Sequence, residues 1–191
     1  MNYEEISKLQ DSYANCMKCD LSDHRIAGLE KIVLGQGRVD AVGMIIIPTP
    51  IFTKPQYPAA YAIDSEEYEI LSQIFKKTGL SLDDWYITPT VMCKGRANVD
   101  HLLACNERLS ELTKIISPKY VILMGKQSHY AFFGTSSNEK DLGWVPNKNY
   151  KTFYTHNLSE YIGLKTKGDE QCQNMAKTMM GHWKTIKEDM D

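Results

Sequence analysis

The chain has little of what marks a membrane protein, a nucleic-acid tail or an exported scaffold. Its 191 residues carry 22 Lys and Arg against 24 Asp and Glu, a net charge of −2, so no global cationic field advertises nucleic acid. A local basic groove on a near-neutral protein remains open. No apolar run approaches the roughly 18 residues of a membrane span, and the start, Met1-Asn2-Tyr3-Glu4-Glu5, lacks the charged-then-apolar order of a signal peptide. There is no internal repeat and no low-complexity tract. These absences predict a soluble, cytoplasmic, single-domain protein over residues 1–191. With nothing like a coiled coil or a long exposed apolar stripe, it is expected to be a monomer. Five cysteines, an odd number without an export signal, argue against a disulfide framework.

What is present is a succession of short buried strands and amphipathic helices. Ala41 to Ile47 is apolar without alternation, as a strand covered on both faces requires, and Pro48 and Pro50 cannot extend a ladder. Trp85 to Thr88 before Pro89, Tyr120 to Met124 before Gly125, and Lys151 to Tyr154 read as further strands. Between them, Ser65-Glu66-Glu67 opens a helix carrying Ile70, Leu71, Ile74 and Phe75 and ending at Thr78-Gly79. Asp100 to Ile116, about Lys126 to Phe133, and Asp169 to Glu188 are the other internal helices, and Asn2 to Asn15 a leading one. Asp20 to Val39 and Phe52 to Asp64 read as loops. Alternation of strand and helix predicts an α/β fold, three-layer αβα, around a mainly parallel four-stranded sheet. In such sheets ligands bind beyond the carboxyl ends of the strands, which makes the Pro48-Thr49-Pro50-Ile51 turn a candidate site.

Cys16-Met17-Lys18-Cys19, with Cys93 and Cys105 later, has the count for a four-thiolate metal site. A structural zinc and an iron–sulfur cluster both suit four soft ligands. Cys105, beside Leu102, Leu103 and Ala104, also reads as a small core residue, and Cys172 stands apart.

Taken together, Cys16-x-x-Cys19-x-Leu21 with Arg25 downstream, Gly35-x-Gly37, Ala41 leading into the first strand, Tyr86-Ile87-Thr88, Cys93-Lys94, Cys105, Pro118, Gly125 and Thr155-His156 resemble the family 4 uracil-DNA glycosylases, the iron–sulfur branch of that superfamily. The resemblance covers nearly the whole chain in order. It implies a [4Fe-4S] cluster on Cys16, Cys19, Cys93 and Cys105, and a DNA groove across the carboxyl ends of the strands with a base flipped into a pocket.

The catalytic motifs depart from that family. Where it has Gly-Glu-Ala-Pro-Gly, this chain has Ile47-Pro48-Thr49-Pro50-Ile51, so the acid is replaced by Pro48. The Asn that reads the uracil edge is Pro89, and the His-Pro pair is His156-Asn157. The stacking Phe has no clear match; Tyr61 or Ile63 falls nearby, and Tyr57 is a second aromatic able to stack on a base. His156 is then the group to hydrogen-bond the departing base, and Thr49 the hydroxyl that orients water. Asp64 is a replacement carboxylate or an ordinary acid near a helix start. The pocket is assigned to Pro48, Pro50, Ile51, Tyr61, Ile63 and Pro89. DNA contacts are assigned to Arg25, Lys94, Arg96, Lys126, Ser128, Asn157 and a wedge at Leu158.

Two functions follow from this pattern. One is a DNA glycosylase rebuilt for a damaged or modified base, such as a modified base of foreign DNA, rather than ordinary uracil. The other is an inactive iron–sulfur DNA-binding module of the same fold, acting in replication, repair or a phage-related complex. The expected partner of either is DNA.

Overall fold

The computed structural model describes residues 2–52, 54 and 58–191. Four parallel strands, β1 (Gly43–Ile47), β2 (Trp85–Pro89), β3 (Tyr120–Met124) and β5 (Lys151–Thr155), are joined by a short antiparallel one, β4 (Gly143–Val145). The order across the sheet is β2-β1-β3-β5-β4. The sheet therefore has five strands, one more than the sequence predicts. Gly143-Trp144-Val145 is too short to show alternation and exists as a strand because it pairs with Thr152–Tyr154.

Every residue of β1, β2 and β3 is buried, because helices cover both faces. Side chains alternate between the two cores, as a period of two requires: Met44 and Ile46 pack on one face, Ile45 and Ile47 on the other. The first core is covered by α1 (Asn2–Tyr13), α4 (Val99–Ile116) and α5 (Lys126–Phe133), with Leu102, Leu109, Leu112 and Ile116 inward. The second is covered by α3 (Glu66–Thr78) and α7 (Gln171–Met190), with Leu71, Phe75, Trp183 and Ile186 inward.

Helix ends follow their local chemistry. Ser65 Oγ accepts from the Tyr68 amide at the start of α3, and Gly79 ends it in the left-handed conformation at φ 74°. At α4, Asn98 and His101 cap one another reciprocally, each side chain accepting the other's amide at 3.0 Å.

Two helices lie where the sequence shows none. α2 (Leu21–Ala27) falls in the segment read as a loop, and its seven residues are too few for a periodic signal. α6 (Leu158–Thr166) follows β5 directly, with Asn157 as its cap. No helix among the described residues is long and apolar enough to cross a membrane.

Candidate functional site

Because β1, β2, β3 and β5 run in parallel, the segments after Ile47, Pro89, Met124 and Thr155 all emerge at one edge of the sheet. Hydrogen bonds join these segments. Thr90 donates its amide to Ile47 O at 2.7 Å and its hydroxyl to Pro48 O at 2.5 Å, which binds the β1 turn to the β2 turn. The Gly125 amide donates to Thr155 O at 2.8 Å. Gly125 has φ +85°, and a Cβ there would come within 2.9 Å of the Asn157 Cβ, so the turns after β3 and β5 meet only because it is glycine. The loop after β1 closes through Ile51, whose amide donates to Ala60 O while its carbonyl accepts from Ala62, both at 2.8 Å. Gln36 Oε1 accepts the Tyr61 amide at 3.1 Å.

On this edge His156, Thr49, Pro48 and Ile51 are half-buried, while Pro50 and Pro89 are buried. His156 lies beside His182 of α7, with ring centroids 6.3 Å apart and planes 19° from parallel. His182 Nδ1 hydrogen-bonds Thr155 Oγ1 at 2.9 Å. Burial, with a smaller electrostatic contribution from neighbouring His156, pushes the His182 pKa down to about 4, so its ring is neutral at physiological pH. Tyr61 is buried, and burial also raises its hydroxyl pKa; that hydroxyl has no hydrogen-bond partner among the described residues. Asp64 is exposed just ahead of the Ser65 cap. Tyr57 lies outside the described residues.

The expected DNA contacts divide. Lys94, Arg96 and Lys126 are exposed, and the Lys94 ammonium sits 5.1 Å over the Phe52 ring. Arg25 is instead buried, donating to Cys16 O at 2.9 Å and Ala14 O at 3.3 Å, so its charge is spent inside the protein. Ser128 is buried and donates to Met124 O at 2.9 Å. Leu158, expected as a wedge, is wholly buried in the second core, because the first turn of α6 points it inward. Asn157 Oδ1 accepts from the Ser159 amide as a helix cap. Ile63, expected in the pocket, is 80% exposed.

The four cysteines are brought together from two directions. Cys16 and Cys19 occupy the turn between α1 and α2, Cys93 follows β2, and Cys105 faces inward from α4. All four are free thiols, and Cys16, Cys19 and Cys105 each act electrostatically on Cys93. Burial pushes the Cys93 thiol up to about 11 against the opposing pull of Arg25. Lys18 clamps the turn onto α4 through Glu107 at 2.8 Å. A different triad, Cys19, Asp20 and His101, has its donor atoms within 4.8 Å of one another. Both His101 nitrogens are engaged, however: Nδ1 accepts the Asn98 amide and Nε2 bonds Asp20 Oδ1 at 2.5 Å. That histidine is a helix cap whose other ring nitrogen bonds Asp20.

Residues 36–178 match the model of the uracil DNA glycosylase superfamily. The chain belongs to this superfamily. It is 28% identical over 168 residues to a type-4 uracil-DNA glycosylase of Saccharolobus solfataricus, covering 83% of this chain and 71% of the relative. It is 26% identical over 153 residues to a type-4 uracil-DNA glycosylase of Sulfurisphaera tokodaii, covering 77% and 67%.

Two residues of this superfamily member escape a reading by motif. Arg108 is wholly buried on α4, donating to Thr88 Oγ1, Pro89 O and Thr90 O at 2.9, 2.6 and 2.9 Å. A signal was present, because positions 105, 108, 109 and 112 share one helical face and a cation there is out of place. His182 lies beyond the matched region, on a helix whose packing against β5 no local pattern reveals.

Proposed function

We propose that the chain is a DNA glycosylase that flips a damaged or modified base, rather than ordinary uracil, and hydrolyses its N-glycosidic bond to leave an abasic site. The observation that carries this reading is His156, half-buried at the end of β5 on the same sheet edge as the Pro48–Ile51 and Pro89–Thr90 turns. In the reaction the C1′–N bond breaks with its electron pair going to the base, and water adds to C1′ and gives up a proton. A hydrogen bond from His156 to a base oxygen stabilises the charge developing there. Thr49 orients the water, and Asp64 is the carboxylate offered to the sugar cation. Prolines at 48 and 89 remove an acid and an amide, which alters the hydrogen bonding a base must satisfy and disfavours plain uracil.

Lys94, Arg96 and Lys126 hold phosphates along the edge. With Leu158 in the core, Ile63 is the exposed apolar side chain able to enter the gap left by a flipped base.

Cys16, Cys19, Cys93 and Cys105 would hold a [4Fe-4S] cluster. The donor set fits: four free thiols, of which Cys16, Cys19 and Cys105 all act on Cys93. Four soft thiolates are the ligands such a cluster takes, and they would also serve a tetrahedral zinc. Such a group, when bound, supplies a fixed anionic centre joining α1, α2 and α4.

The test is base release from oligonucleotides carrying uracil, deaminated purines, and hydroxymethylated or glucosylated pyrimidines, scored by alkaline cleavage. Release from a modified substrate but not from uracil is expected. His156→Ala should abolish release, by about 10² or more, while leaving DNA affinity largely intact. The loss of both usual motif residues favours a second reading, an inactive DNA-binding module. Silence across the panel together with salt-dependent DNA binding would establish that reading.

A further inference from the structure

Arg108 is a full positive charge with no exposed surface, and none of its hydrogen-bond partners is a carboxylate. Its Nε is buried without a hydrogen-bond partner among the described residues. Cys105 lies one turn before it on the same buried face of α4, and Cys93 follows by three residues the Thr90 whose carbonyl Arg108 holds. Both are cysteines of the four-thiolate set. An uncompensated buried charge costs several kcal/mol, and a thiolate site remains net anionic whether it holds zinc or a cluster.

Towards the sheet edge, the same guanidinium grips the turn after β2. One terminal nitrogen donates to Pro89 O at 2.6 Å and Thr90 O at 2.9 Å, and the other to Thr88 Oγ1, which passes its own proton to Leu34 O at 2.7 Å. Thr90 in turn donates to Pro48 O at 2.5 Å. A continuous set of bonds thus runs from the residue one turn after Cys105 to the carbonyl beside Thr49.

We propose that Arg108 is a positioning residue linking the four-cysteine site to the base-recognising edge, so that loading the cysteines sets the rigidity of Pro89–Thr90 and, through Thr90, of Pro48–Thr49. The proposal rests on the reading of Cys16, Cys19, Cys93 and Cys105 as metal ligands. With the site loaded, the anion holds the guanidinium in place and its fork holds two carbonyls. With the site stripped, the guanidinium loses its counter-charge and is drawn towards water, loosening both turns.

The experiment is amide hydrogen exchange on the protein as isolated and after metal removal by a chelator. The reporters are the Thr90 and Val91 amides, which donate to Ile47 O and Pro48 O. In the wild type, stripping should speed their exchange about tenfold or more beyond any change at Ile186 on α7, which reports global opening. In Arg108→Gln with metal content intact, both amides should exchange fast before stripping and change little after it. Arg108→Lys keeps the charge but not the fork, and its response should be intermediate. If Arg108→Gln fails to fold, Arg108→Lys carries the test, and its Thr90 and Val91 amides should respond to stripping less than those of the wild type.

Equal exchange in loaded and stripped wild type overturns the proposal. So does a folded Arg108→Gln that still responds to stripping, or an Arg108→Lys protein that responds as fully as the wild type. The readout needs no substrate, so an inactive protein can still show the linkage. A protein isolated without metal overturns the linkage and leaves the glycosylase reading to the oligonucleotide panel.

Discussion

On one face of the sheet Phe75, Trp85 and Trp183 meet edge to face with centroids 4.9 to 6.0 Å apart, whereas on the other the core leads into two buried arginines and four cysteines. The aromatic face is closed by apolar contact, each ring pair adding about 0.5–1.5 kcal/mol beyond its buried area. It needs nothing from outside the chain. The cysteine face buries Arg25 and Arg108, each with its Nε lacking a hydrogen-bond partner among the described residues. Charge buried in that way stabilises only when an anion compensates it. Stability near the cysteines is therefore expected to depend on what they hold, and stability near Trp183 is not.

The comparison is broken most directly by the largest lesion on the aromatic face. Trp183→Ala, at a site with no exposed surface, should cost about 3–5 kcal/mol in denaturant unfolding while the metal content stays that of the wild type. Loss of metal in that variant would mean that the faces are not independent. Next comes Cys105→Ser, expected to lose the metal, the visible absorbance of a cluster, and about 2–4 kcal/mol. Chelation of the wild type should reproduce this loss. A colourless, stable wild type with stoichiometric zinc would replace the cluster with a zinc site.

A smaller effect sharpens the contrast through pH. His182 has its pKa lowered from 6.5 to about 4 in the folded protein, so the unfolded chain binds its proton first. Its contribution is intact above pH 6.5 and is lost as pH falls towards about 4. The loss should reach about 1–2 kcal/mol once solvent screening of a half-buried ring is allowed for, and His182→Gln should flatten that limb of the stability profile. The smallest effect is expected at Lys18, whose ion pair with Glu107 joins two exposed side chains. Lys18→Ala should leave the unfolding midpoint unchanged within error at physiological salt.

Much of the fold was legible because its signals are local. Uninterrupted apolar runs at Gly43–Ile47 and Tyr120–Met124, the Ser65 cap and Gly79 stop are properties of short stretches. β4, α2 and α6 were not legible, since each is short, and β4 is a strand only because it pairs with β5. In the candidate site, the four cysteines could be grouped from residue type and spacing, whereas His156 entered only through the family resemblance. Arg25, Ser128 and Leu158 could not be placed correctly, because charge or polarity identifies a side chain without saying which way its helix turns it.

The sequence by itself determined the order of strands and helices, the proline stops after the first two strands, the four thiols and the histidine after β5, all through local propensity and residue chemistry. Tertiary structure alone decided which charges are buried and which are exposed. It put Arg108 between Cys105 and the Pro89–Thr90 turn, and His182 against His156. The physical reason is that burial and long-range hydrogen bonding depend on how α4 and α7 pack on the sheet, and that packing is a property of the whole chain rather than of any stretch within it.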